Sequence, residues 1–162
     1  MNRELTGTIK AILDEYKKAI NELIFVIQQL RSSEITRIMD NETTNPDCRS
    51  IQTILTHIIH SGYGYTNYIE NHPDHKKERP LKEYFENSHQ YIEHLKKMFE
   101  YCETFFIKNP FIRLEETDNS KKMTTSWGQQ YDIDQLMEHA IVHVLKHRRQ
   151  IENFIKIQKT DI

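Results

Sequence analysis

The sequence predicts an all-α fold, a four-helix bundle forming one domain over residues 1–162. Three observations carry this. Four long stretches repeat apolar residues three and four apart, the spacing that lines up one face of a helix. No stretch shows the alternation of a half-buried strand. Gly and Pro number only four each in 162 residues, too few for a turn-rich β architecture. A chain of this length is one domain by size and long enough to bury a sizeable core.

The first stretch places Leu5, Ile9, Ile12, Tyr16, Ile20, Leu23, Ile27 and Leu30 on one seam, a long amphipathic scaffold helix. From Ser32 to Arg49 the pattern gives way to a polar crossing with a turn at Asn45-Pro46-Asp47. Ser50 has the character of an N-cap for the second helix, whose stripe runs from Ile51 and Ile54 through Leu55 and Ile58 to Tyr65 and Ile69. Gly62 and Gly64 interrupt that stripe at a cost relative to alanine, which fits close helix approach, room for a ligand, or a locally weak helix. The polar loop 71–79 carries His72 and His75, read as solvated. Pro80 suits the first turn of a third helix bearing Leu81, Tyr84, Phe85, Tyr91, Leu95, Met98, Cys102 and Phe105. Residues 106–131 form a long connection containing Trp127 and Gly128, a length that suits a pocket wall. Asp132 followed by Gln135 caps the fourth helix, with Ile133, Leu136, Met137, Ala140, Val144, Ile151, Phe154 and Ile155 facing inward.

Composition excludes several classes of function. A formal charge of -2 with both signs interspersed provides no basic footprint for nucleic acid. No apolar run reaches membrane-spanning length and the N-terminal segment lacks the apolar core of a signal peptide, so a cytoplasmic protein is expected. Cys48 and Cys102 stand far apart without a C-x-x-C pair and read as free thiols, Cys102 in the core and Cys48 beside a helix start.

The chemistry concentrates in the fourth helix, where His139, His143 and His147 recur every fourth residue. At about 100° per residue, His147 and His143 lie roughly 40° and 80° from the centre of the apolar stripe, and His139 roughly 120° away, toward solvent. A lone histidine bordering a core stripe is ordinarily a packed, hydrogen-bonded residue. A pair at i, i+4 makes metal ligation an equal alternative, but two ligands do not make a site. On the second helix His57 lies at the edge of the stripe beside Ile54, whereas His60 points away from its centre, so His57 is the candidate third ligand.

The segment RSIQTILTHI, with Ser50 as cap and His57 seven residues on, resembles the second-helix motif of the DinB/YfiT-like metalloproteins. The segment HVLKHRRQI resembles that family's H-x-x-x-H-R-G-Q-I motif, and helix number and order agree over the whole chain. The resemblance implies a bundle of up-down-down-up topology, often dimeric, with a divalent metal on three histidines that fall on His57, His143 and His147. The family's glutamine falls on Gln150. Arg149 stands where the family has glycine, and the wheel projects it outward. Family members include bacillithiol-using thiol S-transferases, mycothiol-dependent isomerases and proteins called metal-dependent hydrolases.

Three neutral imidazoles leave zinc or nickel with open positions, the catalytic arrangement. Hydrolysis would use a metal-activated water and a base, and Val144-Leu145-Lys146 between the two histidines supplies no glutamate. A low-molecular-weight thiol bound as thiolate needs no protein base, which favours transfer of the thiol to a small electrophile. Arg148 reads first as a surface salt bridge and second as a group that holds a carboxylate of thiol or substrate, and Gln150 and His139 are the further residues expected near the site. A metal-dependent hydrolase and a non-catalytic, stress-related metal-binding module are the alternatives. Metal binding is expected to weaken as pH falls through about 6.5 or somewhat below.

Overall fold

The computed structural model describes Leu5 and residues 7–73 and 78–160, and these residues are mostly helical. In order, the elements are α1 (Gly7–Ile27), a short α2 (Ser32–Thr36), α3 (Ile51–Glu70), α4 (Ser88–Lys108), a hairpin of β1 (Met123–Thr124) and β2 (Gln130–Tyr131), and α5 (Ile133–Thr160). Single 3-10 turns lie at Pro46–Cys48 and Asn119–Lys121. The four long helices each touch two others, α1 packing on α4 and α5, and α3 packing on the same two. Their predicted stripes meet in one continuous core in which Leu23, Ile27, Ile54, Leu55, Leu95 and Ile151 have no exposed surface. Each such side chain contributes about 1.5–3 kcal/mol by leaving water.

The helices that carry the histidines begin where the sequence places their caps. Ser50 Oγ accepts from Thr53 N at 3.1 Å while Thr53 Oγ1 accepts from Ser50 N at 3.0 Å, closing a reciprocal box. At α5, Asp132 Oδ1 accepts from Gln135 N at 2.8 Å and Gln135 Oε1 from Asp132 N at 3.1 Å. These bonds satisfy amides that a helix start otherwise leaves without partners and fix where both helices begin.

Three expectations need correction. The third helix begins at Ser88, capped by Asn87 Oδ1 accepting from Gln90 N at 3.0 Å, rather than at Pro80. Residues 78–86 are not helical because their backbone bonds outward. Gln52 Nε2 donates to Phe85 O (3.0 Å), Thr56 Oγ1 to Glu83 O (2.9 Å), and Phe85 N to Tyr91 OH (3.2 Å). The segment is thereby strapped along α3, and Leu81 and Tyr84 are exposed instead of joining a helical stripe. The polar crossing contains α2, held by Glu34 Oε2 accepting from Arg31 N at 2.9 Å and anchored by buried Ile35. The connection after α4 contains a two-stranded antiparallel hairpin pairing Met123 with Tyr131, and Gly128 supplies its positive φ of 86°. In the polar loop, His72 Nε2 lies 2.8 Å from Lys121 O, and His75 lies outside the described residues.

The two glycines of α3 serve different ends. A Cβ at Gly62 would stand 1.9 Å from the sulfur of fully buried Met98, so α4 approaches α3 as closely as glycine permits. A Cβ at Gly64 would meet only the far end of exposed Arg79, its Nη1 at 2.6 Å. Gly62→Ala is expected to destabilise, because overpacking costs about 1–3 kcal/mol against about 1 kcal/mol gained in helix propensity. Gly64→Ala is expected to stabilise by up to about 1 kcal/mol, since Arg79 can swing away. Urea midpoints that move in the same direction for both variants would contradict this assignment.

Candidate metal centre

Packing of α3 on α5 brings His57 against His143 and His147, with ring centroids 4.9 and 5.1 Å away and the latter two rings 4.5 Å apart. One ring nitrogen from each lies within 4.8 Å of the others, a grouping able to hold a metal ion. His57 Nε2 and His143 Nε2 stand 3.0 Å apart. Two lone pairs at that distance repel, so either one nitrogen is protonated and donates to the other, or a cation accepts both. Two ligands on zinc at about 2.0–2.1 Å stand about 3.4 Å apart in a tetrahedral shell, the same scale.

In two of the three rings the outer nitrogen is already occupied, which aims the inner one. His57 Nδ1 lies 3.1 Å from Asp47 Oδ2, and because a carboxylate only accepts, Nδ1 carries the proton and Nε2 the free lone pair. His147 Nδ1 lies 3.1 Å from Gln150 Oε1, with the same consequence. Asp47 is presented by the 3-10 turn, where Asn45 Oδ1 accepts from Asp47 N at 3.0 Å, and it is braced by Lys82 Nζ at 2.5 Å from its Oδ1. Sequence reading found Gln150 and passed over Asp47, taking Asn45-Pro46-Asp47 as a turn alone. The only available signal was that an acid stands just ahead of the helix that carries His57. Asp47→Ala is expected to weaken metal affinity about 10–100-fold, measured by chelator competition, with helical circular dichroism unchanged. Wild-type affinity in that variant would remove Asp47 from the site.

Burial disfavours the charged form of all three rings. Burial, then the neighbouring His147, pulls His57 down to about 4, with Asp47 opposing. Burial, then His147 and His57, pulls His143 down to about 2. Burial also lowers His147, which is only 4% exposed. Burial works against ionised Asp47, yet the hydrogen bond and charge of Lys82 and the hydrogen bond from His57 hold it below the usual carboxylate range. Neutral imidazoles are the state a divalent ion requires, so the donor set fits such an ion.

The histidines open on a cleft of about 1100 Å³. The hairpin forms one wall, as its length suggested. Ser126 N donates to Tyr68 OH at 2.8 Å, and Trp127 stacks on His139 with centroids 5.5 Å apart. His139 belongs to this aromatic wall, with Tyr131 OH 3.3 Å from its Nδ1, and is not among the three clustered rings. Arg148 does not serve the cleft. It pairs with Glu22 of α1, its Nε lies 3.5 Å from Glu152 Oε1 without a hydrogen bond, and it lines a separate groove between α1 and α5. The helical rotation that turns His147 inward carries its neighbour across to α1. Arg149, expected to point outward, is exposed but lines the cleft. His60, expected to point away from the core, is half-buried and also lines it. Cys48 lines the cleft half-buried, accepting from Asn45 Nδ2 at 3.4 Å, while buried Cys102 has its thiol pushed up to about 12 by desolvation. Among the described residues, no helix is long and apolar enough to cross a membrane. No protein-family model, curated protein or solved structure matches the chain.

Proposed function

We propose that this chain is a DinB-type metalloprotein, an up-down-down-up four-helix bundle that holds one divalent ion, zinc or nickel, on His57, His143 and His147. The carrying observation is the trio itself: three neutral imidazoles, their ligand atoms within 4.8 Å of one another, at an open cleft. The helix order is supported by contact pairs. Tyr91 with Gln52 and Tyr101 with Asn67 fit parallel α3 and α4, while Tyr65 with His139 and His57 with His147 fit antiparallel α3 and α5. Ser88 with Gln28 and Tyr16 with Phe99 fit antiparallel α1 and α4. A homodimer belongs to the same proposal by likeness to that family.

The activity we propose is transfer of a low-molecular-weight thiol, bacillithiol in the first instance, to a small electrophile. When bound, the ion supplies Lewis acidity that favours the thiolate over the thiol. The sulfur attacks an electrophilic carbon, the C–S bond forms as the leaving group departs with its electron pair, and the thiol proton passes to solvent. Hydrolysis is the weaker reading because it asks for a base. The carboxylates lining the cleft among the described residues are Asp47, engaged by His57 and Lys82, and Glu152, engaged by Arg149. The roomy cleft counts against an ion that is only structural. The assay follows a chromogenic electrophile with bacillithiol, glutathione and cysteine on the metal-loaded chain. Metal-dependent acceleration that disappears in His143→Ala supports transfer. No acceleration from a fully metallated protein rejects it, and ester or amide cleavage by the same sample would establish the hydrolase instead.

A further inference from the structure

The cleft holds more positive charge than its own surroundings answer. Arg79, Lys82, Lys146, Arg149 and Lys156 line it against two carboxylates, Asp47 and Glu152. Both carboxylates are engaged, Asp47 with Lys82 and His57, Glu152 with Arg149. Arg79, Lys146 and Lys156 have no ion-pair partner among the described residues, although the chain as a whole has a formal charge of -2. Unanswered cations gathered at one concavity focus a field that raises the local concentration of anions. That field reaches neighbouring groups: after burial, Arg79 and Lys82 are the leading influences holding His60 below the usual histidine range.

Arg79 also has a seat. Its guanidinium and Cδ lie across α3 at Gly64, where a Cβ would come within 2.6 Å of Nη1 and 3.4 Å of Cδ. An exposed arginine has many rotamers open to it, and here the absence of a side chain at Gly64 lets it lie flat against the helix at the cleft. Arginine presents a planar fork of donors suited to carboxylate and phosphate oxygens.

We propose that the cleft binds a small organic anion, a carboxylate or a phosphate ester, with its charged group held by Arg79 and Lys146 and the remainder reaching the histidines along the Trp127 wall. It names the charge of the co-substrate and rests on the proposed function only for the end that meets the histidines. The charged end needs no ion, so the test uses the metal-free full-length chain.

Trp127 is the only tryptophan and lines the cleft, so its fluorescence, with calorimetry alongside, reports binding. Succinate and inorganic phosphate serve as anionic probes and succinamide as a neutral isostere of the first. Saturable binding of an anion with succinamide at least tenfold weaker is expected, and the tighter anion identifies the chemistry. Arg79→Gln and Lys146→Gln should each weaken binding about tenfold, Gly64→Ala should weaken it through Arg79, and Lys96→Gln on α4 should leave it unchanged. Equal binding of succinate and succinamide, an equal effect of Lys96→Gln, or no calorimetric binding of either anion to the folded chain would overturn the inference. Anion binding by a chain that takes up no metal retains this inference and rejects the metal reading. Metal uptake without anion binding does the reverse.

Discussion

His143→Ala is expected to purify as a folded helical protein that retains no divalent ion at neutral pH, where the wild type retains one per chain. Loss of a partner that only orients a ligand costs about 10–100-fold in metal affinity, the effect expected for Asp47, so loss of a ligand should cost more than about 100-fold. The fold should tolerate the change because His143 is half-buried and lies outside the apolar cluster, while its neighbours Ala140 and Val144 remain in place. His57→Ala should behave alike. His139→Ala and His60→Ala should keep the metal, since neither ring joins the cluster of three. Metal-to-protein ratios after gel filtration decide the matter: an ion lost in His139→Ala or His60→Ala and kept in His57→Ala would refute the assignment. Chelated wild type should keep its helical circular dichroism, because the four long helices share a continuous apolar core that needs no ion.

The parts of this molecule that could be read from sequence are those in which one local rule acts alone. The seam from Ile9 to Ile27 and the caps at Ser50 and Asp132 follow from spacing and from a single side chain meeting a nearby amide. His57, His143 and His147 were legible because the rotation of each helix is set by its own apolar stripe, and stripes that face one core must bring inward histidines toward each other. The start of α4 was not legible. Pro80 and the apolar residues after it satisfy the local pattern of a helix, but Gln52 and Thr56 of α3 take the backbone carbonyls first, and these lie about thirty residues earlier in the chain. Asp47 escaped for a similar reason. Its role depends on a turn folding back to His57, and nothing in Asn45-Pro46-Asp47 encodes that return. Of the two roles open to Arg148 the salt bridge is the one formed, and its partner could not be read because a wheel gives direction but not company: Glu22 comes from α1.

Acid is expected to destabilise the metal-free protein steeply between about pH 6.5 and pH 4. In the unfolded chain the histidines take up protons near their ordinary value of about 6.5. In the folded chain burial and mutual proximity hold His57 down to about 4 and His143 down to about 2, and lower His147 as well. Between these values the unfolded state binds protons that the folded state refuses, so stability falls as pH falls, by up to about 1.4 kcal/mol per pH unit for each histidine so affected. The loss begins at 6.5 and continues until the folded histidines themselves protonate. Asp47, held below its usual range, contributes in the same direction only under about pH 4, where its unfolded form begins to protonate, so it does not mask the window. The same displacement moves proton competition with a bound ion to lower pH than a free imidazole would set, toward the lower side of the range expected from sequence alone. Urea titrations of metal-free wild type at pH 7.5, 6.5, 5.5 and 4.5 should show a falling midpoint, and His143→Ala, with one neutral buried ring fewer, should show a shallower fall. Stability independent of pH over that range, or an equal slope in His143→Ala, would mean that the three rings are not held neutral by their surroundings.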